Sequence, residues 1–202
     1  MKHLELILDK LSLFVSKGHR FLDLGCGSGE LLFSIRKRMN ASCYGIERDV
    51  KNIKKCMRKG LSVFQGNIEE SVPLLRTQSY DFVILSQTLQ EIQNPITLIN
   101  EMLRIGKRAL IIFPNFAYWP SRFYLLFGRT PNHHALPFTW FSTPNIRAIT
   151  IKEFKLMCHD NGFKIIYSQA LLSKLPSYFC PSFLMNFFSP QALFILESNY
   201  EN

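Results

Sequence analysis

Apolar residues in this chain gather into short dense runs separated by stretches of helical period. RFLDL (Arg20 to Leu24), CYGI (Cys43 to Ile46), LSVFQ (Leu61 to Gln65), YDFVILS (Tyr80 to Ser86) and RALIIFP (Arg108 to Pro114) each read as a strand. The fourth and fifth runs are apolar at successive rather than alternate positions, the pattern of strands covered on both faces. Between the runs, amphipathic periodicity predicts helices over Glu30 to Met39, Val50 to Lys59 with Gly60 closing it, Glu70 to Leu75, and Pro95 to Ile105 with proline at its first turn. Strands alternating with helices at this spacing imply an α/β fold, a doubly wound, mostly parallel Rossmann-like sheet of about seven strands, the last two at Lys164 to Ser168 and Ala192 to Glu197.

The flanking segments follow other rules. MKHLELILDKLSLFVSKG reads as one amphipathic helix ending at Gly18, with no cleavage site of small residues and so no signal peptide. Residues 115–145, NFAYWPSRFYLLFGRTPNHHALPFTWFSTPN, are too rich in rings and prolines to continue the winding and are expected to cap the carboxyl edge of the sheet. TIKEFKLMCHDNGF then restarts a helix, with Thr150 as N-cap, Glu153 completing a capping box and Gly162 as the stop. An apolar loop, 171–191, precedes the last strand. Pro176, Pro181, Pro190 and Asn186 break it too often for a bilayer span, and its Tyr178, Phe179, Phe183, Phe187 and Phe188 either cover the sheet edge or form a docking surface. A single domain over 1–202 accommodates all of this.

Charge changes the picture less than its size implies. The net charge of +9 would suit a polyanion, but the basic residues sit in IRKRM and KNIKKCMRKG, each the polar face of an amphipathic helix. No aromatic and basic residues interleave along one strand face, so neither nucleic-acid binding nor stable membrane insertion is expected. The five cysteines, Cys26, Cys43, Cys56, Cys158 and Cys180, include no C-x-x-C pair, which points to reduced thiols, a cytoplasmic setting and no metal. His133 and His134 are sequence neighbours without a companion thiol or carboxylate cluster, a poor metal pair.

Candidate chemistry begins at FLDLGCGSGE, where a strand stops in Gly25, Gly27 and Gly29. In an open α/β sheet this first strand-to-helix turn lies at the ligand crevice, where bare backbone lets amides approach what is bound. Glu47, ending the second strand, is placed to accept both hydroxyls of a ribose and to repel a 2′-phosphate. The spacing is G-x-G-x-G preceded by Asp23, not G-x-G-x-x-G. An aspartate there repels a pyrophosphate but suits an amino acid's ammonium, which favours S-adenosylmethionine over NAD.

DLGCGSG with the acid at the second strand resembles the class I S-adenosylmethionine-dependent methyltransferases. The resemblance implies that Asp23, Leu24, Gly25, Cys26, Gly27 and Gly29 surround the methionine half, that Glu47 and Arg48 serve the ribose, and that Asn67, Ile68 and Ser86 complete the site. Asn67 stands where that superfamily usually has an aspartate. From about Arg20 to Ile166, the stretches SQTLQ, FPNF, GRTPNHHALPFTWF and TPNI resemble more narrowly the MetW family of methionine biosynthesis proteins, although TWFS replaces a tyrosine and aspartate pair expected near Phe141 and Ser142. That resemblance implies a partner, homoserine O-acetyltransferase, which the chain would sustain. The alternative is methyl transfer to a small molecule. LSQTLQ offers amides and hydroxyls rather than a base, leaving Glu91, Tyr118, His133 and His134 as the groups that could line an acceptor side.

Overall fold

In the computed structural model, which describes residues 2–171 and 184–198, seven strands form one sheet in the order β3-β2-β1-β4-β5-β7-β6. The chain runs α1 (Lys2–Leu11), β1 (Arg20–Leu24), α2 (Glu30–Met39), β2 (Ser42–Glu47), α3 (Val50–Arg58), β3 (Ser62–Gln65), α4 (Ile68–Ser71), β4 (Tyr80–Ser86), α5 (Pro95–Ile105) and β5 (Gly106–Pro114). Then follow α6 (Trp119–Leu126), α7 (Ile151–Asp160), β6 (Lys164–Leu171), α8 (Met185–Phe188) and β7 (Gln191–Glu197). Strands β1 to β5 pair in parallel, as the unbroken apolar runs imply, while β7 enters antiparallel between β5 and β6. From β1 the winding moves outward through β2 to β3 and returns across the sheet to β4. The carboxyl ends of β1 and β4 therefore flank the switch point where such sheets hold ligands.

Each sheet face carries its own apolar layer. On one side Val83, Leu85, Ile111, Phe113 and Phe194 meet α5 and α7; on the other Phe21, Phe82, Ile84, Leu110 and Ile195 meet α1 and α2. The rings of Phe113 and Phe194 stack at 5.8 Å and those of Phe21 and Phe82 at 5.1 Å, one pair on each face. These fully buried aromatics dominate the apolar area removed from water.

Several elements differ from the sequence expectation. The first helix stops at Leu11 rather than Gly18, because the Ser12 hydroxyl donates back to Asp9 O at 2.7 Å and Phe14 turns onto Tyr167, edge to face at 5.3 Å. The helix expected from Glu70 starts at Ile68, where the Asn67 side chain accepts from Glu69 N–H, and tightens to a 3₁₀ turn over Val72–Leu74 around Pro73. Strand β6 runs on to Leu171, three residues beyond Ser168, since it pairs with β7 along its length past a bulge at Ile165 and Tyr167. The Thr150 cap holds, accepting from Glu153 N–H at 3.1 Å. Of the apolar loop, Tyr178, Phe179 and Phe183 lie outside the described residues. Phe187 contacts Phe188 edge to face at 4.9 Å and lies under the Arg122 guanidinium.

Asn115 ties this second half together. Fully buried just past β5, its amide donates to Asn186 O at 2.9 Å and Ser189 O at 2.8 Å, while its oxygen accepts from Ala117 N–H at 3.2 Å and Ile151 N–H at 3.4 Å. One side chain thus fixes the start of the cap, the start of α7 and the approach to β7. Removing it strands buried backbone groups, so Asn115→Ala is expected to cost about 2–4 kcal/mol in urea unfolding, whereas a surface asparagine such as Asn161 should cost under about 1 kcal/mol.

Candidate functional site

At the switch point a cleft of about 620 Å³ opens between the ends of β1, β2 and β4. Of the residues the sequence nominates, Gly25, Glu47, Arg48, Asn67, Ile68 and Ser86 line it. The turn after β1 is held by its neighbour strand: Gly25 N–H and Cys26 N–H both donate to Ile46 O, at 2.8 and 3.1 Å. Gly25 has φ +75, and a Cβ there would meet the Thr88 hydroxyl at 3.0 Å and the Ile68 methyl at 3.3 Å. Its bareness keeps the cleft mouth open.

Glu47 is fixed by two backbone donors. Gly27 N–H reaches one carboxylate oxygen and Asp49 N–H the other, each at 2.8 Å. Such a carboxylate is oriented in advance and still has lone pairs free to accept hydroxyls. Behind it, Asp23 is 2 % exposed, and its Oδ1 is buried without a donor. Burial first, and the Glu47 charge second, push the Asp23 carboxyl up to about 7. An acceptor at the ligand turn with no protein donor fits a ligand that brings an amine.

Asp23, Leu24, Cys26, Gly27 and Gly29 are not among the lining residues. Leu24 is fully buried in the core beside Ile46. The Cys26 side chain turns inward, since a Cβ on Gly45 would lie 2.6 Å from its sulfur, and burial holds its thiol protonated. Gly29, at φ +76, would drive a Cβ to 2.6 Å from Leu61 and 2.8 Å from the Cys56 sulfur. Its glycine is required by the packing of α2 against the end of α3. Asn67 lines the cleft, but its oxygen caps α4 and its NH₂ donates to Glu70 at 3.3 Å.

Among the lining residues that the sequence did not nominate as ligand contacts, three stand out. Gln87 holds φ +57, a strained backbone for a side-chain-bearing residue, with its N–H on Ile112 O. Thr88 faces Gly25 across the mouth. Glu91, expected on an acceptor side under the cap, lines the cleft itself, where burial raises its carboxyl above the ordinary range despite Arg48 nearby.

The other acceptor-side residues cluster elsewhere. Tyr118 packs edge to face on His133 and His134, and the fully buried Ser121 hydroxyl lies 2.8 Å from His133 Nε2. Ala135 N–H donates to His133 Nδ1 at 3.3 Å, so the network assigns the ring proton to Nε2, which donates to Ser121. A histidine so arranged cannot take the serine proton. The pair bolts the cap instead of forming a nucleophile and base. Among the described residues no cluster of three or more His, Cys, Asp or Glu could hold a metal, four cysteines are free and buried, and no helix is long and apolar enough to cross a membrane.

A mostly parallel seven-stranded sheet with flanking helices, a glycine turn and the Glu47 carboxylate at its switch point has a class I, Rossmann-like methyltransferase fold. Solved structures share it: magnesium protoporphyrin IX methyltransferase from Synechocystis superposes with TM-score 0.69 at 14% identity over 98% of this chain and 83% of that one. The [4+2]-cyclase SpnF matches with TM-score 0.66 at 13% identity over 96% and 81% of the two chains. Within that fold the chain belongs to the family of the methionine biosynthesis protein MetW, whose model matches residues 6–196. A relative in Rhodopirellula baltica, the bifunctional methionine biosynthesis protein MetXA/MetW, is 36% identical over 151 residues, 70% of this chain. The chain spans 24% of that relative's length.

Two pH dependences follow from the site and the cap. The raised Asp23 value means the unfolded chain ionises first, so stability falls as pH rises from about 4 to about 7 and is flat above. Asp23→Asn is expected to remove that slope and raise Tm at pH 8. For His133, burial and His134 depress the ring, so its neutral form contributes stability above about pH 6.5 that is lost as pH falls. In His133→Gln, the decline in Tm between about pH 7 and pH 5 should flatten.

Proposed function

We propose that this chain binds S-adenosylmethionine in the cleft beside Glu47 and serves methionine biosynthesis as a partner of homoserine O-acetyltransferase. The observation that carries the ligand half is the Glu47 carboxylate, held by the N–H groups of Gly27 and Asp49 with its free lone pairs toward a ribose. Asp23, buried at the turn and outside the lining, would supply the acceptor for the amino group, and Ile68 on the cleft wall an apolar edge for the adenine. Because the Asn67 amide is spent on α4, it holds the adenine edge less firmly than an aspartate would. When bound, the cofactor would supply an electrophilic methyl; the residues here bind it, orient it and shield it.

The partner half draws on the relative that joins MetXA and MetW in one polypeptide. It also draws on a surface that water alone covers poorly. Around α6 and the cap, Leu126, Phe127, Trp140 and Phe141 are each more than 70 % exposed. Large exposed apolar side chains of that kind favour a protein contact. The cyclase among the fold relatives supports reading the site without assuming methyl transfer, since the same architecture carries other chemistry.

A second reading, methylation of a small molecule, is favoured by Glu91, a carboxylate with a raised pKa on the cleft wall and suited to act as a base. Isothermal titration with S-adenosylmethionine and S-adenosylhomocysteine, with and without homoserine O-acetyltransferase, separates the two. The partner reading expects cofactor binding that shifts when the acyltransferase is added, co-purification of the two proteins, and no cofactor turnover. Slow turnover abolished by Glu91→Gln would establish the second reading instead. Under both, Glu47→Ala should weaken the cofactor at least about 100-fold, since it removes a bidentate contact to ribose; unchanged affinity would refute the placement.

A further inference from the structure

A second cavity, about 260 Å³, lies under the cap and is walled by Phe116, Phe138, Trp140 and Ile149, with Gln90 and Asn145 in its lining. Gln90 is 6 % exposed and donates its NH₂ to Gln87 O at 2.7 Å. That bond identifies which end of the amide is oxygen, because a flipped amide would set two acceptors against each other. The Gln90 Oε1 is then buried with no donor, and so is the Asn145 Oδ1. Each such atom costs about 1–3 kcal/mol when left unpaired, and two in one lining point to a ligand that pairs them.

The main-chain N–H groups beside these oxygens are spent elsewhere. Ile146 N–H and Arg147 N–H both donate to Gln90 O, at 2.9 and 3.1 Å, and Asn145 N–H to Thr143 Oγ1 at 3.1 Å. The Arg147 guanidinium bonds the carbonyls of Ile92 and Gln93. The lining thus offers two buried amide acceptors beside aromatic rings, whose faces carry negative quadrupoles. The complement of that surface is a cation with N–H donors on a short apolar body. The volume falls below the range of about 300–1,000 Å³ typical of drug-sized ligands, which limits the guest to about the size of an amino acid or small amine.

We propose that the cap cavity binds a small primary ammonium compound, its N–H donors taken up by the amide oxygens of Gln90 and Asn145 and its hydrocarbon by the surrounding rings. The site is distinct from the cleft beside Glu47 but shares an element with it. Gln90 belongs to the 3₁₀ turn Leu89–Glu91, and Glu91, Ile92 and Gln93 next to it line the cleft. Occupancy of one space therefore bears on the other through a single turn. The inference does not depend on which ligand the cleft holds.

The chain has two tryptophans, Trp119 and Trp140, so a Trp119→Phe background isolates the cavity wall by fluorescence. Titration of that protein with phenethylammonium chloride and with n-butylammonium chloride should give a saturable change in Trp140 emission. The anion of similar shape, 3-phenylpropionate, should give none at equal concentration. Gln90→Leu and Asn145→Leu should each weaken the ammonium at least tenfold; Asn145→Leu should leave Tm equal to or above the parent because a buried unpaired oxygen has gone, whereas Gln90→Leu also loses the bond to Gln87 O and should lower it. If Gln90→Leu does not fold, the half-buried Asn145→Leu decides. No saturable change with either amine, equal binding of the anion, or undiminished binding in the foldable variant would each overturn the proposal.

Discussion

The site depends on one carboxylate reached from two sides. Glu47 accepts from Gly27 N–H and from Asp49 N–H, so the turn after β1 and the cap of α3 are fixed by the same group. A turn with left-handed residues at Gly25, Gly27 and Gly29 exposes backbone donors that need partners, and Glu47 together with Ile46 O provides them from the adjacent strand. Function and fold are then inseparable at this point. The acid that would hold a ribose is also what lets the turn keep its shape.

Asp23 stands in the opposite condition. It is buried with an oxygen lacking any donor, and its carboxyl pKa is raised first by that burial and then by the Glu47 charge. Proteins tolerate such local costs where binding recovers them. Gln87, in a left-handed backbone at the opposite wall, is a second instance in the same cleft. Local costs of this kind fall at Asp23 and Gln87 and also away from the cleft, at Asn40 and Gln78, while Phe21, Phe82, Phe113 and Phe194 pack the sheet without comparable penalty.

Much of this was legible in the sequence because the signals are local. Unbroken apolar runs marked β1, β4 and β5, the Thr150 to Glu153 pair marked the start of α7, and the glycine turn with its downstream acid marked the crevice. What sequence could not supply was direction. Gly25 and Gly29 are identical letters four positions apart, yet one faces the cleft and the other the Cys56 sulfur, a difference set by α3 packing from far along the chain. Asn67 read as a ligand contact and does line the cleft, while its oxygen also accepts from Glu69 N–H, a bond its letter did not announce. Glu91 read as a residue under the cap and lies in the cleft, because the strap around Ile146 and Arg147 bonds Gln90 O and turns the chain. The extent of α1 was misjudged for a similar reason: the contact that diverts Phe14 is with Tyr167, on the far side of the sequence.

The placement of β7 has a consequence for how the molecule is made. It pairs with β5 through Arg108↔Glu197 to Pro114↔Gln191 and with β6 through Lys164↔Glu197 to Leu171↔Gln191, so the sixth strand reaches the sheet only through the seventh. During synthesis β1 to β5 can associate in order as they emerge, but the exposed flank of β5, apolar from Ala109 to Phe113, waits until residues 191–197 have left the ribosome. Closing that gap spans a long loop and is slow relative to the local winding before it. The nascent chain therefore passes through a half-sheet with one open apolar edge, and the cell must protect that edge until the final strand slides in.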